Sequence, residues 1–189
     1  KYARPNTVLA LNMSIIRKKA WLPALLLAAM AASCSDNVDN TRLPAYPVHL
    51  SLSGAGMWNT YGVGGVGQWR TFIKEQGVPT GFPYLAASYT GFGGLLLVGV
   101  DAAANFADET WPYLPMAFDL SCPVECEQDV RVYVDEDKFE AVCPVCHSRY
   151  TLMSGGGPVA GPAVGYKYGL ETYRCTGTPM TGFTITRRK

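Results

Sequence analysis

Histidine is nearly absent from this chain, with 2 in 189 residues. No Ser–His–Asp arrangement can be assembled from so few, and neither a nucleophile motif nor a paired-acid signature is visible. Excess charge of either sign is missing too. The formal net charge is +1, which gives no electrostatic case for nucleic acid or an acidic substrate. There is no internal repeat. The apolar stretch Ala20 to Ala32 holds 13 residues, too few to cross ~30 Å of hydrocarbon as a helix. Six cysteines are too few for a disulfide mini-scaffold at this length. What is abundant is Gly (20), Pro (13) and Tyr (11), a composition that points to a turn-rich β protein. The length is enough for one ordinary domain with a real core.

The N-terminal part reads as an export segment. Residues 1–12 precede Met13 and read as an upstream extension. From Met13, a basic group (Arg17, Lys18, Lys19) leads into the short apolar stretch and then into small residues, the layout of a signal peptide over 13–33. Ala31-Ala32-Ser33-Cys34 resembles a bacterial lipobox, in which the cysteine becomes the lipid-modified first residue of the mature protein. The resemblance implies a lipid anchor at Cys34 and a place at a membrane of the bacterial cell envelope, the outer membrane being the expected one. Without a twin arginine, export is expected as an unfolded chain, so a cofactor would be inserted outside the cytoplasm. Residues 34–45 are polar and read as a tether, with the folded domain expected over 46–189.

Within that domain, Val48-His49-Leu50-Ser51-Leu52 alternates as a strand and places His49 on its polar face. Gly62, Gly64 and Gly67 fit a G-x-G-x-x-G spacing. No apolar strand precedes them, no long helix follows and no acid lies ~20 residues on, so they read as a glycine-rich turn. Trp69 to Gln76 suits either helical turns or a strand. Gly91 to Val100 is a continuous apolar run and reads as a buried central strand. Asp101 to Pro115 reads as a loop, and Met116 to Leu120 as a strand.

That last strand leads into the most informative stretch. Cys122 and Cys126 flank Pro-Val-Glu, and Cys143 and Cys146 flank Pro-Val. Between the pairs, VRVYVDEDKFEAV holds two alternating runs split by Asp135-Glu136-Asp137, a β-hairpin pattern. A hairpin with a cysteine turn at each end gathers four sulfurs. On spacing alone this suits a four-cysteine zinc ribbon, and in an exported protein two disulfides compete with it.

The flanking residues add a resemblance. Cys143-Pro144, Ser148-Arg149-Tyr150, the segment Gly155 to Ala163 with its Gly161-Pro162-Ala163, and Leu170 to Tyr173 resemble the second half of a Rieske domain. The resemblance covers roughly Ala117 to Tyr173. It implies an all-β fold of antiparallel sheets with a small cysteine-bearing hairpin subdomain and a [2Fe–2S] cluster. Cys122 and Cys143 match the family's two cysteine ligands. Ser148 and Tyr150 match its hydroxyls, which hydrogen-bond a bridging sulfide and a ligand sulfur and raise the potential.

The departures fall on the histidine ligands. Val124 stands in the first histidine's place, Cys146 in the second's, and His147 where the family has glycine. A cluster would then be held by Cys122, Cys126, Cys143 and Cys146, or by three cysteines with His147. Cluster, zinc, and no metal with paired or free thiols remain open. The resemblance favours the cluster, and with it a membrane-anchored one-electron carrier serving a redox partner protein. The alternative is a non-redox binding module whose cysteines are structural. Whether the chain is an enzyme stays open, an electron carrier or binding protein being expected ahead of an enzyme with its own substrate. Cys175, beyond the motif, reads as a buried or spare thiol.

Overall fold

In a computed structural model of the chain, residues 37–102 and 113–188 are described. The segments read as a signal peptide and as a lipobox ending at Cys34, and most of the loop expected after Asp101, lie outside them. Among the described residues no helix is long and apolar enough to cross a membrane.

The described chain is all-β, as composition implied. Its strands are β1 (Val48–Ser53), β2 (Trp69–Phe72), β3 (Tyr89–Thr90), β4 (Leu95–Asp101), β5 (Tyr113–Asp119), β6 (Tyr133–Asp135), β7 (Glu140–Val142), β8 (Arg149–Thr151), β9 (Pro158–Ala160), β10 (Thr172–Thr178) and β11 (Gly182–Arg187). Two short helices interrupt them, α1 (Ala55–Tyr61) and α2 (Pro162–Tyr166). Seven strands form one antiparallel sheet in the order β2-β4-β5-β10-β11-β1-β3. Lys74, just past β2, reaches the other edge: its Nζ donates to the Ser88 carbonyl at 2.8 Å beside β3. The sheet is therefore nearly closed on itself. The remaining strands form a second antiparallel sheet, β6-β7-β8-β9.

Strand β4 explains how the two sheets share a core. Leu95 and Leu97 pack with Leu50, Leu52, Phe72 and Ile185. Leu96, Val98 and Val100 face the other way, toward Phe118, Tyr150, Leu152 and Leu170. Successive side chains of a strand point to opposite faces, so a strand covered on both faces must be apolar at every position. That is the origin of the unbroken run read from the sequence. The glycine-rich turn lies against the same strand. A Cβ on Gly99 would stand 2.1 Å from the Gly65 carbonyl oxygen, and Gly67 N–H donates to the Gly99 carbonyl at 2.9 Å. Only glycine allows that approach.

The ambiguous stretch Trp69 to Gln76 is β2 followed by one 3₁₀ turn, Lys74–Gln76. Two expectations need correction. Strand β5 begins at Tyr113, not Met116, because Tyr113, Leu114 and Pro115 pair with Asp101, Val100 and Gly99. The folded part also starts before Tyr46. Asp39 N–H donates to the Lys167 carbonyl at 2.8 Å, Gly169 N–H donates back to Asp39 at 2.9 Å, and Leu43 is 3% exposed. Residues 39–43 thus lie along the folded unit instead of acting as a tether. His49 is exposed on β1, as its polar face implied.

Candidate metal centre

Two turns form the site, and each is fixed from below by backbone pairing. The first leaves β5. Cys122 N–H donates to the Val130 carbonyl at 2.9 Å and Val132 N–H to Leu120 at 2.8 Å, which folds the chain back after the turn. Buried Asp119 anchors this exit: its carboxylate accepts from the N–H groups of Phe92 (2.7 Å), Gly93 (3.0 Å) and Ser121 (2.8 Å) and from the Tyr173 hydroxyl (2.6 Å). The second turn joins β7 to β8, closed by Cys143 N–H donating to the Ser148 carbonyl at 3.0 Å. The hairpin between the turns, β6–β7, is the one the alternating sequence predicts. Arg149 of β8 pairs with both Asp135 and Glu140 across it.

This arrangement brings together the sulfurs of Cys122, Cys143 and Cys146, all within 4.8 Å of one another. Cys122 and Cys143 are fully buried and Cys146 is half-buried. The Cys122 and Cys146 sulfurs lie 3.6 Å apart, and none of the five described cysteines is in a disulfide. The hydroxyls expected beside them are there. Tyr150 Oη lies 3.6 Å from Cys122 Sγ, and Ser148 Oγ lies 3.2 Å from Cys146 Sγ while accepting from Ala163 N–H at 3.1 Å.

The other two candidate ligands stand apart. Cys126, expected as the fourth sulfur, is not in the group; its Sγ faces the Arg42 carbonyl at 3.9 Å. His147 is exposed and is not in the group either. Both have left-handed backbone, φ 55 and 57, at the residue where each turn reverses. Cys175 lies on β10, packed against the other core cluster, and is a thiol outside the centre, as the sequence suggested.

Comparison with protein-family models, curated proteins and solved structures gives no match. The chemistry of the site therefore rests on its own geometry. Burial pushes the Cys122 thiol up to about 12, against the opposing pull of the Glu125 and Val124 N–H groups and the Tyr150 hydroxyl. Burial raises Cys143 likewise, opposed by the N–H groups of Cys146 and Val145. Burial also holds the Tyr150 phenol above its ordinary value, so it remains a hydrogen-bond donor. Thiols held protonated by burial, as Cys122 and Cys143 are, form poor nucleophiles. The three sulfurs together form a good pocket for a thiophilic cation, which replaces their protons with its own charge.

Sequence reasoning quoted Gly161 within the Gly161-Pro162-Ala163 segment without giving it a role of its own, and it missed Arg42. Gly161 lies against the backbone of Ser148, where a Cβ would come within 2.7 Å of Ser148 Cα. Its signal was the Gly-Pro pair at a helix start, where Gly161 caps α2 and Pro162 opens it. Arg42, assigned to the tether, gives its carbonyl to Cys126 and places its guanidinium over the Tyr168 ring at 5.5 Å. Nothing in the local sequence marks it.

Proposed function

We propose that this chain is a metal-binding β domain of Rieske-like build in which Cys122, Cys143 and Cys146 hold a single tetrahedral Zn²⁺. One observation carries this reading: the three sulfurs surround one point. Zinc–thiolate bonds of ~2.3 Å at tetrahedral angles put sulfurs about 3.8 Å apart. The 3.6 Å between Cys122 and Cys146 is close to that, and the 4.8 Å limit on the trio accommodates it. The ion would tie the end of β5 to the β7–β8 turn, which makes the centre a structural staple between the two sheets. In this reading the domain is a non-redox binding module. The lipobox-like Ala31-Ala32-Ser33-Cys34 supports attachment to a cell-envelope membrane through a lipid on Cys34.

The second reading is an anchored iron–sulfur protein that passes single electrons to a partner protein. The hydroxyls of Tyr150 and Ser148 beside the sulfurs favour it, since such bonds tune a cluster's potential. A [2Fe–2S] cluster needs two ligands on each iron. The trio fits one metal atom and offers no second pair, so the cluster fits these residues less well than a single ion does.

Metal analysis of the purified protein separates the readings. Colourless protein with one zinc per chain, lost to a chelator together with thermal stability, supports the first. Visible absorption, two irons per chain and an electron paramagnetic resonance signal on reduction would replace it with the second. Protein that takes up neither metal overturns both.

A further inference from the structure

Although the chain has no longer internal repeat, its two cysteine turns share a short pattern that begins Cys-Pro-Val. Cys122-Pro123-Val124-Glu125-Cys126 matches Cys143-Pro144-Val145-Cys146-His147 position by position, differing only at the last two residues. The backbone repeats as well. The fifth N–H closes on the first carbonyl in both, Cys126 to Cys122 at 2.8 Å and His147 to Cys143 at 3.1 Å. The fifth residue is left-handed in both, φ 55 and 57. The N–H groups of the third and fourth residues turn toward the first cysteine's sulfur in both.

The equivalence assigns each position a role. Position one supplies a sulfur in both turns, Cys122 and Cys143. Position five supplies a side chain that leaves the centre in both, Cys126 and His147. Position four of the second turn is Cys146, which crosses to within 3.6 Å of Cys122 in the first turn. Position four of the first turn is Glu125. With the same backbone, its Cβ stands in the first turn where that of Cys146 stands in the second; its half-buried side chain lies outside the group of three sulfurs and would join it by a change of rotamer.

From this repeat we infer that Glu125, and not Cys126, supplies the fourth ligand of the centre. This rests on the proposal that the three thiolates hold a metal ion. A carboxylate in the fourth place completes a tetrahedral set of three sulfurs and one oxygen, with the same formal charge as four thiolates. Zinc accepts that mixed set, whereas Cu(I), which selects soft sulfur ligands, gains nothing from the oxygen. The ion then has one ligand harder and more readily exchanged than the other three.

The test is titration of the purified full-length protein, under reductant, with Co²⁺ and with Zn²⁺ alone. The wild type and Glu125→Gln, Glu125→Cys, Cys126→Ser and Cys143→Ser variants are compared. Glu125→Gln is expected to weaken zinc at least about tenfold, the scale on which a metal site responds to disturbed ligation. Cys126→Ser is expected to leave affinity unchanged. Glu125→Cys is expected to raise the thiolate-to-cobalt charge-transfer intensity from that of three thiolates to that of four. Zinc binding that ignores Glu125→Gln but weakens in Cys126→Ser, or a Glu125→Cys protein with no added thiolate intensity, overturns the assignment and leaves the metal centre standing. Wild-type protein that binds neither ion, or a Cys143→Ser protein that binds as tightly as wild type, overturns the metal centre itself.

Discussion

Replacing Gly161 with alanine probes how the start of α2, the Gly-Pro flap, is seated on the second cysteine turn. Gly161 has φ 78 and ψ −169, a region that essentially only glycine occupies. Forcing an L side chain there costs about 1–3 kcal/mol. The new Cβ would also meet Ser148 Cα at 2.7 Å, Ser148 N at 3.0 Å and the His147 carbonyl at 3.1 Å, all backbone atoms that no rotamer change can move aside. Overpacking of that kind adds about 1–3 kcal/mol. Together the two effects predict a loss of roughly 2–6 kcal/mol, a large part of the 5–15 kcal/mol that stabilises an ordinary domain. Urea unfolding followed through tryptophan fluorescence measures it, with buried Trp58 as a reporter of the larger sheet. The damage should also be local. The clash displaces Ser148, whose Oγ bridges Cys146 and the Ala163 N–H, so zinc affinity should fall in the variant that remains folded. Leu97→Ala is the control: it empties the opposite core cluster at a comparable cost of about 2–5 kcal/mol and should leave affinity unchanged. A Gly161→Ala loss below about 1 kcal/mol, or equal affinity changes in the two variants, would refute the claim that this glycine seats the flap on the second turn.

Four further outcomes follow from the same geometry. Cys143→Ser should abolish the chelator sensitivity of the melting temperature, because a ligand present at a hundred times its Kd contributes about 2.7 kcal/mol that the variant cannot gain. Tyr150→Phe keeps the buried ring and deletes the hydroxyl beside Cys122, so the metal-free protein should lose about 0.5–1.5 kcal/mol in a denaturation curve. In the same variant, zinc affinity measured by chelator competition should drop by roughly tenfold. Glu171 should impose a pH dependence on stability. Burial, aided by Asp119 and opposed by Arg187, raises its carboxyl from 4.5 to about 7, so the folded chain holds a proton that the unfolded chain has released. Stability should therefore rise as pH falls from about 7 toward 4.5, and melting curves of Glu171→Gln should lose that slope.

Much of the fold was legible because its physical causes are local. A strand covered on both faces must be apolar throughout, so the run Gly91 to Val100 announced itself, although the strand takes up only Leu95–Asp101. The hairpin announced itself by alternation on either side of Asp135-Glu136-Asp137. The close approach of Gly99 to the Gly65 carbonyl accounts for part of the glycine content that composition revealed. What stayed hidden depends on partners far along the chain. Residues 39–43 look like a polar tether until Lys167, Tyr168 and Gly169 are brought beside them. Tyr113 to Pro115 look like a loop until the edge of β4 reaches them. The fourth cysteine failed for another reason. Counting Cys126 as a ligand treats spacing as direction, whereas the sulfur of that left-handed residue faces Arg42. The repeated Cys-Pro-Val was the sequence signal that could have exposed this, because it aligns Cys126 with His147 and not with Cys146.

That alignment also bears on what the Rieske-like residues mean. Ser148 and Tyr150 are the strongest part of the resemblance, and in that family such hydroxyls tune a redox potential. In this chain both make contacts that need no cluster. Ser148 ties the second turn to the start of α2 through Ala163 N–H, and Tyr150, fully buried, fills the core between the sheets while its hydroxyl meets Cys122. Any protein that holds two cysteine turns beneath a Gly-Pro flap would gain from them, whichever metal it bound. Their presence is therefore accounted for by the packing of the two turns and leaves the cofactor to be decided by ligand number and direction. On that criterion three convergent sulfurs, one diverging cysteine and one exposed histidine favour a single ion over a pair of irons. The residue that would sharpen the choice further is the glutamate that repeats the position of Cys146.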